Sequence, residues 1–328
     1  MKLSFAQIAG ASRGVASVEA NGKWVRFHRF TVREEEIYRD LHLDKCNKLL
    51  ATAGVRVAFC TDSESFSFAF RFFDQCSSRQ IPRIDVYVNG AMVAHVGLDD
   101  YIDRAGRSTV ALGKGNKTVE LYLPWAMGCE VADLILDDGA SFEPLHRTYT
   151  MISYGDSITH GYDSKYPSLS YAATLARLMD ADSVNKGIGG ETFFPELLEG
   201  ADKTVPDFVT VAYGTNDWAH QPREMIQERC RAFYAKLSAC YPASKIFAIA
   251  PIWRGNSESC DTEFGAPLNE VYTLMCEQTA DLENVTVIPG DGLFPHVKAF
   301  TTDALHPNDA GAQIYAQNLY RAIEAYLQ

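Results

Sequence analysis

The 328-residue sequence has no long apolar run and no excess of basic residues. No stretch reaches the ~20 apolar residues that a membrane-spanning helix requires, and residues 1–7 lack the continuous apolar core of a signal peptide. The net charge of −12 opposes phosphate binding, because nucleic-acid surfaces concentrate Lys and Arg. We therefore expect neither a nucleic-acid nor a membrane partner.

Cysteine pairs at metal-binding spacing are also missing. The eight cysteines are scattered and include no Cys-x-x-Cys pair. In a chain of this length such cysteines indicate reduced, mostly buried thiols. We predict a cytoplasmic protein without a structural metal site.

The complete glycine motifs of nucleotide-binding proteins are absent as well. Residues 186–191 contain three glycines, but they lack the Walker lysine and the full Rossmann fingerprint. A phosphate cradle is therefore excluded at this loop.

The first part of the sequence, residues 1–147, shows the alternation of apolar and polar positions that is typical of half-buried strands. Asn89–Gly90 is a strong hairpin turn signal between two such segments. Long helical periodicity is absent, so we predict an all-β sandwich resembling a jelly roll. Strands are expected at 65–72, 84–88, 91–96, 117–123 and 131–136.

The second part, residues 148–328, alternates apolar strands with helical patterns. This order predicts an α/β domain in which helices cover both faces of a parallel sheet, giving three layers. Ligands then bind at the carboxyl ends of the strands. Strands are expected at 150–154, 183–185, 208–212, 246–250 and 285–288, and helical periodicity at 169–179, 226–237 and 309–327.

Four polar loops leave the carboxyl edge of this predicted sheet. They contain Ser157, the glycine-rich residues 186–191, residues 213–218 and residues 303–307. A serine hydroxyl needs a base to become a nucleophile. The sequence supplies candidates for that base and for its partners in the other loops.

Each candidate has a definite chemical role. His306 could take the Ser157 proton, and Asp303 could fix the tautomer of the imidazole. The Gly190 N–H, the Asn216 side-chain amide and the Ser157 N–H could form an oxyanion hole. We therefore predict Ser157, His306 and Asp303 as the catalytic residues.

Taken singly, each loop also permits an ordinary interpretation. Gly, Asp, Asn and Ser favour turns for local reasons, and Asp303 could cap the last helix, with Pro307 near its first turn. Four such loops in order on one sheet edge favour the catalytic interpretation.

The second half resembles the SGNH (GDSL-type) hydrolase superfamily, whose members use Ser, Gly, Asn and His from four separated blocks. Gly155–Ser157 matches the first block, and 185–190 resembles the second, with Gly190 at the oxyanion position. Residues 214–217 match the third block and 303–307 the fifth. The sandwich before the domain is similar to the arrangement in some carbohydrate esterases. The serine lies outside any Gly-x-Ser-x-Gly elbow, which distinguishes the chain from α/β-hydrolases.

This resemblance implies a serine esterase or acylhydrolase that works through an acyl-enzyme and needs no metal or organic cofactor. The enzyme is expected to remove short acyl groups, with acetyl on a carbohydrate as one candidate. The partner is therefore a small-molecule or oligosaccharide ester. Two alternatives remain open. One is an acyltransferase that uses the same acyl-enzyme, and the other is a non-catalytic carbohydrate-binding protein.

Three residues beside the predicted site are candidates for substrate contact. Trp218 follows the asparagine loop, and Trp253 and Arg254 follow the fourth strand. Aromatic rings could stack on a sugar, and the guanidinium could bind hydroxyls or a carboxylate. Packing in the core is the ordinary alternative for both tryptophans. His160, three residues after Ser157, is expected to be a wall or capping residue.

Overall fold

The computed structural model describes residues 1–79, 81–97 and 104–327. Antiparallel sheets form its first part and a parallel sheet with helices forms its second, which confirms the predicted fold class. The strands of the first part are β1 Ser12–Arg13, β2 Ser17–Asn21, β3 Trp24–His28, β4 Arg56–Thr61, β5 Ser65–Gln75, β6 Arg83–Val88, β7 Ala91–Gly97, β8 Ala105–Ala111, β9 Lys117–Tyr122, β10 Met127–Leu136 and β11 Glu143–Pro144. Those of the second part are β12 Tyr149–Gly155, β13 Ala181–Gly187, β14 Phe208–Ala212, β15 Lys245–Ile249 and β16 Val285–Ile288.

Helices occur in both parts of the chain. The α-helices are α1 Phe5–Ala11, α2 Val32–Leu41, α3 Cys46–Leu49, α4 Ser157–His160, α5 Tyr171–Leu178, α6 Thr215–His220, α7 Arg223–Cys240, α8 Glu270–Thr279 and α9 Asp309–Leu327. Short 3₁₀ turns lie at Leu43–Lys45, Pro167–Leu169, Pro195–Gly200 and Lys298–Phe300.

The sandwich consists of two antiparallel sheets with strand orders β2-β3-β10-β5-β8 and β1-β4-β9-β6-β7, and β11 pairs with β4. The alternation read from β5 places Phe66, Phe68 and Phe70 in the core, where all three are fully buried. Phe59 of β4 meets Phe66 edge-to-face at 5.3 Å between ring centroids. Aromatic packing between the sheets therefore contributes to this core.

Helix α2 departs from the all-β expectation for the first part. It begins at a capping box in which Thr31 and Glu34 satisfy each other's backbone N–H groups. Ile37 and Tyr38 are its buried hydrophobic residues, and most of its remaining surface is charged. So few buried apolar positions give a weak helical pattern, which is why the sequence did not reveal it.

The parallel sheet has the strand order β13-β12-β14-β15-β16, close to the predicted segments. Gly155 at the end of β12 pairs with Gly187 of β13 on one side and Ala212 of β14 on the other. The strand that follows β12 in sequence lies on one side of it, and β14 lies on the other side, so the order in which strands are added reverses at β12. In open α/β sheets ligands bind at such a switch point. The loops after β12, β13 and β14 therefore meet at one place.

Two buried clusters cover the faces of the parallel sheet. Leu175 of α5 and Leu319 of α9 belong to one of them. The other contains Phe233 of α7 together with Phe30 and Tyr38 from the amino-terminal part. A segment of the first part thus covers the parallel sheet, and the division into domains 1–147 and 148–328 stays a proposal.

The cysteines carry free thiols throughout. Cys76, Cys129 and Cys230 are buried, whereas Cys240 and Cys260 are exposed. Among the described helices, none combines the length and the apolar character needed to cross a membrane.

Candidate active site

The turn after β12 fixes the position of Ser157. Gly155 is required there, because a Cβ would lie 2.0 Å from the Thr159 hydroxyl oxygen. Asp156 caps α4 by accepting the Ile158 N–H at 2.8 Å. Ser157 is the first residue of α4, so its own N–H has no partner within the helix. The ordinary turn chemistry of Gly-Asp-Ser thus also sets the serine at the helix start.

Ser157, His306 and Asp303 are brought together by the fold. The Ser157 Oγ lies 2.8 Å from His306 Nε2, and His306 Nδ1 lies 2.8 Å from Asp303 Oδ2. Because an ionised carboxylate only accepts, the proton is assigned to Nδ1, and Nε2 accepts the serine hydroxyl. Burial opposes ionisation of Asp303, but hydrogen bonds from the His306 backbone and imidazole outweigh it and lower the pKa.

A second carboxylate, which the sequence did not indicate, lies beside the same imidazole. Asp163 Oδ2 is 3.8 Å from His306 Nδ1. Arg79 from the sandwich donates to both Asp163 oxygens at 2.6 and 3.0 Å and to Asp303 Oδ2 at 3.1 Å. Arg79 precedes Asp303 by 224 positions, so only the tertiary fold brings them together.

Among the residues that the structure describes, Asp163, Asp303 and His306 form a group that could hold a metal ion. One ligand atom from each lies within 4.8 Å of the others. The Arg79 guanidinium already donates to both carboxylates, so an internal cation compensates their charge. The arrangement suits the orientation of an imidazole better than a cation site.

The predicted oxyanion donors lie in the loops after β12, β13 and β14. Gly190 adopts a left-handed backbone with φ 79°, and its N–H has no hydrogen-bond partner within the described part of the chain. Asn216 donates one amide proton to the Glu191 carbonyl oxygen at 2.9 Å, which orients the side chain and leaves its second proton. The role of Ser157, Gly190 and Asn216 as oxyanion donors stays a prediction, which we take up as a proposal.

His160 braces the site and is fully buried. Its Nε2 lies 2.9 Å from the Trp125 carbonyl oxygen, and the Gly189 N–H donates to its Nδ1 at 3.3 Å. Burial, aided by Arg29, lowers its pKa well below the usual range, so the ring is neutral. His160 is thus the wall residue that the sequence predicts. Nearby, Tyr162 stacks on His306 with ring centroids 5.5 Å apart.

Basic residues of the amino-terminal part hold the loop at 185–191 from outside. Arg29 is fully buried and donates to the Asn185 carbonyl oxygen at 2.6 Å. Lys45 pairs with Glu191 at 2.7 Å, and Lys48 donates to the Gly189 carbonyl oxygen at 2.6 Å. Periodicity gave no signal for these contacts, because each joins residues far apart in sequence.

The three predicted substrate-contact residues differ in burial and in their hydrogen bonds. Trp218 is fully buried and donates its indole N–H to the Ala266 carbonyl oxygen at 2.7 Å, so it offers no face to a sugar and is not retained. Trp253 is partly exposed and stacks on His296 with centroids 6.0 Å apart. Arg254 is half-buried and donates to the Thr215 side chain at 3.2 Å. Its guanidinium lies over Trp218.

Two buried carboxyls next to the site make stability depend on pH. Burial raises the pKa of Asp156 to about 7, with Asp217 adding like charge, and burial likewise raises that of Asp217 to about 7. The folded chain then binds protons that the unfolded chain has lost between about pH 4 and about pH 7. Its free energy of unfolding therefore falls as pH rises through that window.

Replacing Asp156 with asparagine tests this effect. Asn keeps an oxygen for the Ile158 N–H but cannot ionise. We expect the decline in unfolding free energy to become shallower by up to about 1.4 kcal/mol per pH unit. Urea unfolding at several pH values between about 4 and about 8 measures it. An identical pH dependence in both proteins would show that Asp156 ionises freely in the fold.

Residues 153–314 match the sequence model of the GDSL-like Lipase/Acylhydrolase family. No curated protein matches the sequence. Among solved structures, the salicylyl-acyltransferase SsfX3 from a tetracycline biosynthetic pathway is similar, with a TM-score of 0.77 and 21% identity over 96% of this chain and 94% of that one.

Two esterase structures are also similar in fold. A family two carbohydrate esterase from Cellvibrio japonicus has a TM-score of 0.65 and 15% identity, covering 99% of this chain and 97% of its own. An acetyl xylan esterase from the rumen bacterium Butyrivibrio proteoclasticus has a TM-score of 0.60 and 18% identity, covering 84% and 90%. The fold of this chain is therefore shared by proteins of distant sequence.

Proposed function

We propose that this serine ester hydrolase, whose residues 153–314 match the GDSL-like lipase/acylhydrolase family, removes short acyl groups, such as acetyl, from carbohydrate esters. The observation that supports this chemistry most directly is the continuous hydrogen-bond chain from Ser157 through His306 to Asp303, with both distances at 2.8 Å. A protein that had lost its catalytic activity would not need to preserve these two hydrogen bonds.

The proposed reaction runs through an acyl-enzyme. His306 Nε2 takes the hydroxyl proton while Ser157 Oγ attacks the ester carbonyl carbon. The negative oxygen of the tetrahedral intermediate accepts from the Gly190 N–H, the Asn216 amide and the Ser157 N–H. As the intermediate collapses, the alcohol leaves with the proton from His306. Water then repeats the attack on the acyl carbon and releases the acid.

Asp303 acts on the imidazole throughout this cycle. It accepts a hydrogen bond from the Nδ1–H group and stabilises the imidazolium that forms when His306 takes the serine proton. The Arg79 guanidinium and two backbone N–H groups keep that carboxylate in place. Geometry of this kind keeps the acceptor nitrogen directed at Ser157.

Carbohydrate is proposed as the alcohol part because of the surface next to the loops. Trp253 and His296 line an open cavity of about 410 Å³ beyond the ends of β15 and β16. A partly exposed indole can stack on the apolar face of a sugar ring. Arg254 is proposed as a second contact, through hydroxyl groups. The esterases that share this fold are named for carbohydrate or acetyl xylan substrates.

Acyl transfer is a second candidate, favoured by one observation. The salicylyl-acyltransferase shares the fold over almost the whole chain. Transfer differs from hydrolysis only in the second step, in which an acceptor alcohol replaces water at the acyl-enzyme.

A panel of esters tests the proposed function. We expect turnover of p-nitrophenyl acetate to exceed that of the octanoate ester by at least about tenfold, since extra methylenes change pocket affinity by about 10–200-fold. Acetylated xylo-oligosaccharides are expected to release acetate. Preference for octanoate, or no acetate release from any acetylated sugar, would contradict the proposal. Added alcohol acceptors that trap most of the acyl group would favour transfer.

A further inference from the structure

The peptide unit that joins Gly189 to Gly190 has a partner on its carbonyl side. The Lys48 ammonium donates to the Gly189 carbonyl oxygen at 2.6 Å. The other end of the same planar unit is the Gly190 N–H, the proposed oxyanion donor. Because the C=O and N–H of one peptide unit are conjugated, a cation on the oxygen draws electron density away from the nitrogen. The N–H then becomes a stronger donor.

We propose that Lys48 is a positioning residue of the hydrolase, which orients and polarises this peptide unit so that the Gly190 N–H stabilises the oxyanion. The inference rests on the proposed function of Gly190. Lys48 belongs to α3, so part of the oxyanion hole is built from outside the parallel-sheet half. Lys48 lies outside the four sequence blocks that resemble the SGNH superfamily.

The charge of Lys48 remains available for this purpose. Neighbouring Lys45 is paired with Glu191, which neutralises it. Within residues 1–79, 81–97 and 104–327, Lys48 makes no ion pair. Its Nζ lies 3.9 Å from the point at which a Cβ of Gly190 would sit, so the ammonium also faces the donor residue itself. Half-burial of the side chain limits screening by water.

The surroundings hold Lys48 in this position. Arg29, which is fully buried, donates to the Lys48 carbonyl oxygen at 3.1 Å. His160 accepts the Gly189 N–H. Two consecutive peptide units of the loop are therefore held by hydrogen bonds, and the Gly190 N–H has one preferred direction.

Substitution of Lys48 separates polarisation from simple support. We expect Lys48→Met to lower kcat for p-nitrophenyl acetate by about 10-fold, less than the ~10²–10³ for loss of a whole donor. KM is expected to stay within about twofold, because the ground-state carbonyl binds the hole weakly. A trifluoromethyl ketone, which forms an oxyanionic adduct with the serine, is expected to lose affinity by the same factor as kcat. Lys48→Arg, which retains the charge, should recover most of the activity.

Controls keep the outcomes distinct. Lys114 is an exposed lysine in the loop before β9, and Lys114→Met removes the same charge without an expected change in kcat. Active-site titration with a fluorophosphonate corrects each rate for the folded fraction. An unchanged kcat in Lys48→Met, or a change confined to KM, overturns the inference and leaves the role of Ser157 intact. Full activity in Ser157→Ala would instead reject the proposed function itself.

Discussion

Ser157→Ala is expected to lower kcat for p-nitrophenyl acetate by on the order of 10⁴-fold or more. Without the hydroxyl oxygen no acyl-enzyme forms, and His306 has no nucleophile to deprotonate. Residual turnover would come from the oxyanion donors and from binding alone, which together retain some catalysis over water. Stopped assays with high enzyme concentration measure the remaining rate.

The same variant should keep its fold. Ser157 begins α4, whose cap is the Asp156 side chain, so alanine leaves the capping hydrogen bond unchanged. We expect the melting temperature to move by only a few degrees. A fluorophosphonate should label the wild-type protein at Ser157 and leave the variant unlabelled. Labelling that survives in Ser157→Ala would place the nucleophile elsewhere.

Asp303→Asn is expected to lower kcat by on the order of 10⁴-fold. Asp303 Oδ1 accepts the backbone N–H groups of Leu305 and His306 at 3.1 and 2.8 Å, so the single amide oxygen of asparagine is needed there. The NH₂ group then faces His306 Nδ1 and donates to it. The proton moves to Nε2, which can no longer accept from Ser157.

Asp303→Ala is expected to retain at least about tenfold more activity than Asp303→Asn. Alanine does not enforce the wrong tautomer, and Asp163 remains 3.8 Å from His306 Nδ1 as a substitute acceptor. Removing Asp163 as well should bring kcat down to the level of the asparagine variant or lower. Steady-state kinetics on the three variants, with circular dichroism to verify folding, test this order. Equal rates for Asp303→Ala and Asp303→Asn would mean that Asp163 does not orient the imidazole.

The sequence was sufficient for the parallel sheet and for the serine, histidine and aspartate cluster. Buried strands such as Phe208–Ala212 are mostly apolar runs, and the structure gives that strand the predicted bounds. Ser157, Asn216 and His306 follow strands or precede a helix at one sheet edge, so topology alone brings their loops close. Local pattern and chain order decide these features.

Other parts of the site depend on contacts that no local pattern records. Arg79 lies outside the strands and helices, and Lys48 lies in the four-residue helix α3. Their partners, Asp303 and Gly189, follow 224 and 141 positions later in the sequence. Trp218 failed as a sugar contact for a related reason. Trp218 follows Asn216 closely in sequence, but its indole N–H donates to the Ala266 carbonyl oxygen and the ring is buried. Side-chain direction is set by packing, which neighbours in sequence do not determine.

The buried pair of Lys186 and Glu34 has a consequence for how the protein is assembled. Lys186 lies at the end of β13 and Glu34 in α2, and both side chains are almost completely shielded from water. A charge left alone in such a place is strongly destabilising. The parallel-sheet half cut away from the amino-terminal segment would lose the carboxylate that pairs with Lys186. We therefore expect the two halves to be more stable as one chain than the carboxy-terminal half is alone.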